Sequence, residues 1–173
     1  MAKENDKHPL AKDGFIINPH YLKNKYQVID ILEDQLTEKG YTGFNIFMII
    51  KYLLRADHNK PLEDYKKASY YLNNIIMYIN RVKGIHAKDE AIKPNHYRVG
   101  KIEAIDIIED QLDEEELRGA YLGIILKYIF RYKYKNGLVD LEKANYYLDK
   151  MIKYFESKEQ KSQLNLTKQK EIK

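Results

Sequence analysis

Apolar residues recur every three or four positions along most of this chain, and no stretch alternates strictly between apolar and polar residues. Recurrence at this spacing is typical of an amphipathic helix, whereas a half-buried strand alternates with a period of two. In the second half of the chain the pattern predicts helices at residues 102–112, about 114–133 and 138–155. The middle of the second of these is apolar almost all round, which predicts a helix that its neighbours bury. The sequence therefore predicts an all-α fold.

Local signals support these helix boundaries. Asp113 precedes the second helix and Glu116 follows three residues later, which is close to a capping box. Asn136 and Gly137 break the chain before the third helix. The first half of the chain has Pro61 where the second has Gly137, and proline also favours the start of a helix.

The chain repeats itself with an offset of 76 residues. Residues 20–79 align with residues 96–155 without a gap, and 25 of the 60 aligned positions are identical, so each half should form the same three-helix unit. A unit of about 60 residues buries so small a fraction of its surface that it is only marginally stable alone. We therefore expect two tandem units packed around a pseudo-two-fold axis, as an internal pseudo-dimer in a monomer or within a homo-oligomer.

The duplication divides the chain into five segments. We expect a polar N-terminal segment at residues 1–17, repeat 1 at 18–80, a linker at 81–93, repeat 2 at 94–156 and a Lys-rich tail at 157–173. The tail has few apolar residues, which predicts that it is disordered. We expect the polar N-terminal segment to be disordered for the same reason.

Composition and missing motifs exclude several classes of protein. The absence of cysteine excludes disulfides, thiol catalysis and zinc–thiolate sites. The net charge is +4 with both signs interspersed, so nucleic acid is not an expected partner. The longest apolar stretch, residues 119–130, is too short to span a membrane and no secretory signal is visible, so we expect a cytoplasmic protein. No P-loop, GxGxxG or HExxH motif occurs, and no metal site is expected.

The apolar second helix carries two cations one turn apart in each repeat. They are Lys127 and Arg131 in repeat 2, and Lys51 and Arg55 in repeat 1. Like charges at this spacing repel, and burying either without an anion is costly. One interpretation is an internal salt-bridge network with Glu103, Asp106 or Asp140 from neighbouring helices, and with Asp30 or Asp64 in repeat 1. The other is a phosphate site, in which the carboxylates orient the cations.

Tyrosines concentrate on the second and third helices of repeat 2. They are Tyr128, Tyr132, Tyr134, Tyr146, Tyr147 and Tyr154. They either pack the seam between the helices with their hydroxyls in water, or include one or two rings that stack on a nucleobase.

Three spaced motifs of repeat 2 resemble a known family. They are HYxxGxIExID from His96, KYxxR from Lys127 and NGxxDLxKAxxYL from Asn136. In these motifs the chain resembles a family of small phage-encoded domains that includes SaV-like proteins and a nucleotide kinase without a P-loop. The resemblance implies a phage or prophage protein that acts in the host cytoplasm and binds a nucleotide. It further implies activity as a deoxynucleoside monophosphate kinase.

The resemblance also implies the residues of the site. The expected catalytic residues are Glu103, Asp106, Lys127 and Arg131. The expected ligand-binding residues are His96, Tyr97, Asp140, Lys143, Lys51 and Arg55. Lys127 and Arg131 would contact phosphates, and an acidic residue would orient them or accept a proton. Repeat 1 lacks the Gly100, Glu103 and Asn136-Gly137 of repeat 2, so we expect the better-formed polar pocket in repeat 2.

Two other functions are open at this stage. One is a non-enzymatic anti-defence or host-takeover protein, which sequesters a nucleotide signal or binds a host protein. The family commonly has Gly-Asn before its KY motif, and its absence here favours this function. The other is a nucleotide pyrophosphatase, which needs a metal-binding carboxylate cluster such as Glu103, Asp106 and Asp110.

Overall fold

The computed structural model describes residues 28–56, 60–84 and 104–171, and all regular structure in these ranges is helical. Six helices follow one another in the described part of the chain. They are α1 (Val28–Gln35), α2 (Glu38–Arg55), α3 (Pro61–Lys83), α4 (Ala104–Gln111), α5 (Glu114–Arg131) and α6 (Leu138–Glu171). Each half contributes three helices in the same order, so the predicted all-α fold with two three-helix repeats is confirmed. The predicted N-terminal segment lies outside the described residues.

The helix ends follow the local signals of the sequence. The Asp113 carboxylate accepts hydrogen bonds from the backbone N–H groups of Glu115 and Glu116, both at 2.9 Å. The Glu116 carboxylate accepts from the backbone N–H of Asp113 at 3.0 Å, so the predicted capping box is confirmed. Pro61 lies at the start of α3, where its missing N–H costs nothing. Gly137 has a φ of 54°, which a residue with a Cβ adopts only with strain.

The two halves pack on each other through their third helices, α3 and α6. Tyr65 of α3 contacts Phe155 of α6 with ring centroids 5.3 Å apart, and Lys66 pairs with Glu156 at 2.6 Å. Helix α2 packs on α3 and helix α5 packs on α6, so the second helices flank the central pair. The predicted packing around a pseudo-two-fold axis is confirmed.

The pseudo-two-fold axis passes close to Leu72. Under this symmetry the pair Tyr65–Phe155 has a counterpart made of Leu141 and Ile79, and all four side chains are buried. The axis that relates these two pairs must cross α3 midway between residues 65 and 79, which is at residue 72. It crosses α6 at the counterpart of this residue, which is residue 148. Both positions hold fully buried leucines in one apolar core that includes residues of both halves. The antiparallel crossing of α3 and α6 is therefore the centre of the fold.

The second helices are less buried than their apolar sequence predicts. Phe47 of α2 is 62% exposed and Phe130 of α5 is 58% exposed. Each of these helices packs along one side on a third helix and leaves its outer side in solvent. Lys51 and Lys127 lie on that outer side and are exposed. The prediction that the second helix is buried all round is therefore wrong.

Helix α6 continues beyond its predicted end. The apolar pattern ends at Phe155, but the helix extends to Glu171, so the structure differs from the disordered tail that composition predicts. The segment after Phe155 has no Gly or Pro and is rich in Lys, Glu, Gln and Leu, which favour helix. Its described side chains from residue 157 onward are exposed. Helix propensity therefore extends α6 past the core. In the part of the chain that the structure describes, no helix is both long enough and apolar enough to cross a membrane.

Buried tyrosines link the second helix of each half to the first. Tyr121 of α5 donates its hydroxyl hydrogen bond to the Glu109 carboxylate of α4. In repeat 1, burial and the neighbouring Glu33 carboxylate of α1 raise the pKa of Tyr41 of α2. Glu33 and Glu109 are counterparts, but Tyr41 lies one helical turn earlier in its helix than Tyr121 does. The two repeats therefore reach the same carboxylate from different positions.

We expect Tyr121 to make the protein sensitive to alkaline pH. Burial and the hydrogen bond to Glu109 raise the pKa of Tyr121 above its ordinary value. Its contribution to stability is complete below the unfolded pKa of about 10 and is lost as the pH rises toward the folded pKa. Urea unfolding between about pH 8 and about pH 11 should show this loss, with a shallower decline for Tyr121→Phe. Equal declines in the two proteins would contradict the assignment.

Candidate functional site

Arg131 at the end of α5 forms a two-point ion pair with Asp140 in the first turn of α6. Its Nε donates to Oδ2 at 3.0 Å and its Nη2 donates to Oδ1 at 2.6 Å. In repeat 1, Arg55 and Asp64 form the counterpart pair at 2.8 and 2.5 Å. The prediction that these arginines pair with carboxylates of the first or third helix is confirmed, and in both repeats the carboxylate belongs to the third helix. Two parallel hydrogen bonds fix the plane of each guanidinium as well as its position.

The Asp140 carboxyl is buried and still ionised. Burial acts to raise its pKa, but hydrogen bonds from Arg131 and from the Asn136 amide, at 3.2 Å, outweigh burial and hold the pKa below its usual range. In repeat 1 the hydrogen bond from Arg55 is the largest influence on Asp64, whose pKa is also lowered. Each repeat therefore holds a fixed negative charge beneath its arginine.

Lys127 does not join the ion pair of its repeat. Its side chain is exposed, and Nζ lies 4.3 Å from the centroid of the Tyr128 ring. Among the described residues, no carboxylate lies at ion-pair distance from Lys127 or from Lys51. The prediction that both cations of each pair meet carboxylates is therefore right for the arginines and wrong for the lysines. The lysines lie on the outer side of their helices, where water solvates them.

Three cations instead gather around one tyrosine in each repeat. Lys127, Arg131 and Lys143 lie 4.3, 4.9 and 5.9 Å from the ring centroid of Tyr128. Lys51, Arg55 and Lys67 lie 5.5, 4.9 and 5.7 Å from the ring centroid of Tyr52. An aromatic face attracts each cation singly, but three like charges so close together repel one another. We call Lys127, Tyr128, Arg131 and Lys143 the cation cluster.

Tyr128 is held in place by a second tyrosine. Its ring stacks on Tyr147 of α6 with centroids 6.0 Å apart and planes 13° apart. In repeat 1, Tyr52 stacks in the same way on Tyr71, at 5.8 Å and 16°. These rings pack the seam between the second and third helices, as one of the two interpretations of the tyrosines predicts. Stacking on Tyr147 therefore fixes the ring around which the three cations gather.

The charge of the two clusters is neutralised to different extents. In repeat 1, Lys67 lies 3.6 Å from Asp64 and 3.8 Å from Glu63. The counterpart of Glu63 in repeat 2 is Val139, and Lys143 has no ion pair within the described ranges. The cation cluster therefore sets three cations against Asp140 alone, which Arg131 already occupies. This arrangement can bind a multiply charged anion, because the anion relieves the repulsion among the cations.

The other predicted site residues do not join the cation cluster. His96, Tyr97 and Glu103 lie outside the described residues. Asp106 of α4 accepts a hydrogen bond from Lys150 of α6 at 3.2 Å, so the ion-pair partner of the α5 arginine is Asp140 rather than Asp106. In the described part of the chain, no group of three or more His, Cys, Asp or Glu residues could hold a metal ion.

A second feature of repeat 2 was not predicted from the sequence. A cavity of about 600 Å³ opens between α4 and α6. It is lined by Glu109, Tyr146, Asp149, Lys150, Lys153, Tyr154 and Ser157. None of these was an expected catalytic or ligand-binding residue. The available signal was a difference between the repeats, because Ser157 occupies the position that Arg81 has in repeat 1.

Comparison with known proteins identifies the family. The profile of DUF3310, a family of proteins of unknown function, matches residues 17–73 and again residues 91–149. The chain belongs to the DUF3310 family. The two matches correspond to the two repeats and support a tandem duplication. No curated protein and no solved structure matches the chain significantly. Both groups of three cations lie inside the DUF3310 matches, whereas most of the α6 residues that line the cavity lie beyond residue 149.

Proposed function

We propose that this protein binds a nucleotide through its phosphate, at the cation cluster of repeat 2. The observation that carries the proposal is the convergence of Lys127, Arg131 and Lys143 on Tyr128. A phosphate monoester carries a charge of about −1.5 to −2 near neutral pH, and its oxygens accept several charge-assisted hydrogen bonds. Such a group would neutralise the positive charge of the cation cluster that Asp140 does not compensate.

The three cations have different tasks in this proposal. Arg131 is oriented by its two hydrogen bonds to Asp140, and its side chain keeps 30% of its surface exposed to an incoming ligand. The ammonium groups of Lys127 and Lys143 are mobile point charges that adapt to the phosphate oxygens. The phosphate would thus accept hydrogen bonds from one fixed guanidinium and two flexible ammonium groups.

An exposed aromatic residue three positions after Arg131 favours a nucleotide over free phosphate. Tyr134 is 88% exposed, and its backbone N–H donates to the carbonyl of Arg131 at 3.0 Å. A base that stacks on an exposed tyrosine ring gains about 1–3 kcal/mol. The cation cluster is also compact, whereas a nucleic-acid strand needs basic groups along an extended track. We therefore propose a single nucleotide as the ligand.

Removal of the two unpaired lysines should abolish most of this binding. We expect the double variant Lys127→Ala and Lys143→Ala to bind deoxynucleoside monophosphates at least ~10-fold more weakly by calorimetry. The fold should be retained, since neither lysine forms an ion pair with a described residue. Higher ionic strength should weaken binding to the unchanged protein.

The matched control replaces the counterparts in repeat 1, Lys51 and Lys67, with alanine. Lys67 already faces Glu63 and Asp64, so this control should change affinity by less than ~3-fold. Equal losses in the two double variants would contradict the assignment to repeat 2. Failure of the unchanged protein to bind nucleotides or inorganic phosphate would overturn the proposal itself.

One observation favours binding without turnover as a second candidate function. Phosphoryl transfer needs a group that orients the nucleophile or accepts its proton. Asp140 is already bound by Arg131 and Asn136, and Asp106 pairs with Lys150. A phage or prophage protein of this kind would sequester a nucleotide signal in the host cytoplasm. The other candidate is a kinase that transfers a phosphoryl group to the bound deoxynucleoside monophosphate. Incubation with ATP, Mg²⁺ and a deoxynucleoside monophosphate distinguishes the two, because only a kinase forms the diphosphate.

A further inference from the structure

The cavity between α4 and α6 shares no residue with the cation cluster. Its volume of about 600 Å³ lies within the range of small-molecule sites. One carboxylate comes from α4, as Glu109, and a second comes from α6, as Asp149. Two tyrosines and a serine of α6 complete the wall together with two lysines. The cavity thus combines carboxylates with aromatic surface.

Repeat 1 places its own guanidinium at the equivalent position. Arg81 is the counterpart of Ser157, and it forms an ion pair with Glu33, the counterpart of Glu109. The guanidinium carbon lies 5.9 Å from the centroid of Tyr78, whose counterpart also lines the cavity. Repeat 1 therefore shows that a guanidinium fits beside the carboxylate that both repeats carry at this position. In the other half, the short Ser157 leaves that place open.

The carboxylates of the cavity form no ion pair with a described residue. The hydrogen bond of Glu109 to Tyr121 uses one carboxylate oxygen, Oε1, and no ion pair reaches Glu109 within the described ranges. Asp149 replaces an asparagine of repeat 1, and its carboxylate accepts a hydrogen bond from the Asn145 amide at 3.4 Å. Burial raises the pKa of Asp149, and the charge of Lys153 lowers it less. Both carboxylates would therefore gain from an added cation.

Neither lysine of the cavity wall forms an ion pair with Glu109 or Asp149. Lys150 forms its ion pair with Asp106 at 3.2 Å. Lys153 is exposed and has no ion pair with a described residue. Lys158 lies 5.4 Å from the centroid of Tyr154 and 3.9 Å from a Glu114 oxygen, on the side of α5. None of the three takes the position that Arg81 occupies in repeat 1.

We propose that this cavity binds a small organic cation with a guanidinium head group, seated on Glu109 and Asp149. A guanidinium is planar and presents parallel N–H donors that match a carboxylate. Its positive charge is also attracted to the faces of tyrosine rings. The site is separate from the nucleotide site, and most of its α6 residues lie beyond the DUF3310 match that ends at residue 149.

Calorimetry with agmatine on the full chain tests the chemistry of the site. We expect one agmatine per chain, and at least ~10-fold weaker binding of N-carbamoylputrescine, in which a neutral urea replaces the guanidinium. Comparable binding of the two compounds would overturn the proposal, as would no agmatine binding at millimolar concentrations. An arginine-containing tetrapeptide separates small molecules from protein side chains. If the tetrapeptide binds and agmatine does not, the small-molecule assignment is wrong.

Exchange of residues between the repeats tests the location of the site. Ser157→Arg should place a guanidinium on Glu109, as Arg81 does on Glu33, and weaken agmatine binding at least ~10-fold. Ser157→Ala, the matched control, should bind agmatine like the unchanged protein. Arg81→Ser should free Glu33 to bind a second agmatine and raise the stoichiometry to two agmatine molecules per chain. Undiminished binding by a folded Ser157→Arg variant would overturn the proposal, and this result does not depend on the folding of Arg81→Ser.

Discussion

Replacement of Leu148 with alanine should lower the free energy of unfolding by about 3 kcal/mol. Leu148 is fully buried and lies with Leu72 at the crossing of α3 and α6, where the two halves meet. The substitution removes apolar contacts and leaves a cavity that two rigid helices cannot close, so both costs add. Leu72→Ala should have a similar effect, because the pseudo-two-fold axis places it in the same environment. Urea unfolding followed by circular dichroism measures both changes.

The control for this prediction is Leu164→Ala. Leu164 is an exposed leucine of the same helix beyond the core, and its loss should change stability by less than ~0.5 kcal/mol. Because one core includes residues of both repeats, the variants should still unfold in a single transition. Two separate transitions, or a cost at Leu148 no larger than at Leu164, would show that the repeats do not depend on each other.

The features predicted correctly from the sequence are those encoded over short distances along the chain. Helical periodicity and the capping pair Asp113 and Glu116 depend on neighbouring residues. The ion pair of Arg131 with Asp140 spans one short turn between consecutive helices. The duplication then predicts the two-fold packing, because a small unit with an exposed apolar face needs a partner. Each of these inferences requires little knowledge of the tertiary structure.

The remaining features depend on which side of each helix faces a neighbour. A helix that is apolar on both sides, such as α5, gives no periodic signal for its exposed side, so the solvent exposure of Lys127 and Phe130 was not predicted. No sequence motif marks the cavity, which depends on the short side chain of Ser157. Its signal, Ser157 in place of Arg81, has meaning only when the ion pair of Arg81 with Glu33 is seen.

Replacement of Asp140 with alanine should lower the free energy of unfolding by about 2 kcal/mol at neutral pH. The Asp140 side chain is 0% exposed and joins the end of α5 to the start of α6 through two hydrogen bonds from Arg131. Its loss leaves Arg131 beside Lys127 and Lys143 with no anion among them. Arg131 keeps contact with solvent, so the cost should be smaller than for a pair in which both partners are buried.

The dependence of this cost on pH provides a second check. The folded pKa of Asp140 is lower than its unfolded value, so its contribution is complete above the unfolded pKa of about 4 and is lost as the pH falls through the folded pKa. The stabilities of the unchanged protein and Asp140→Ala, measured by urea unfolding, should therefore converge in acid. The matched variant Asp64→Ala should cost less, because Glu63 still faces Lys67 there. A difference in stability between the unchanged protein and Asp140→Ala that does not vary with pH would contradict an ionised Asp140. Added phosphate provides a separate test. If the cation cluster binds anions, phosphate should stabilise Asp140→Ala more than Asp64→Ala.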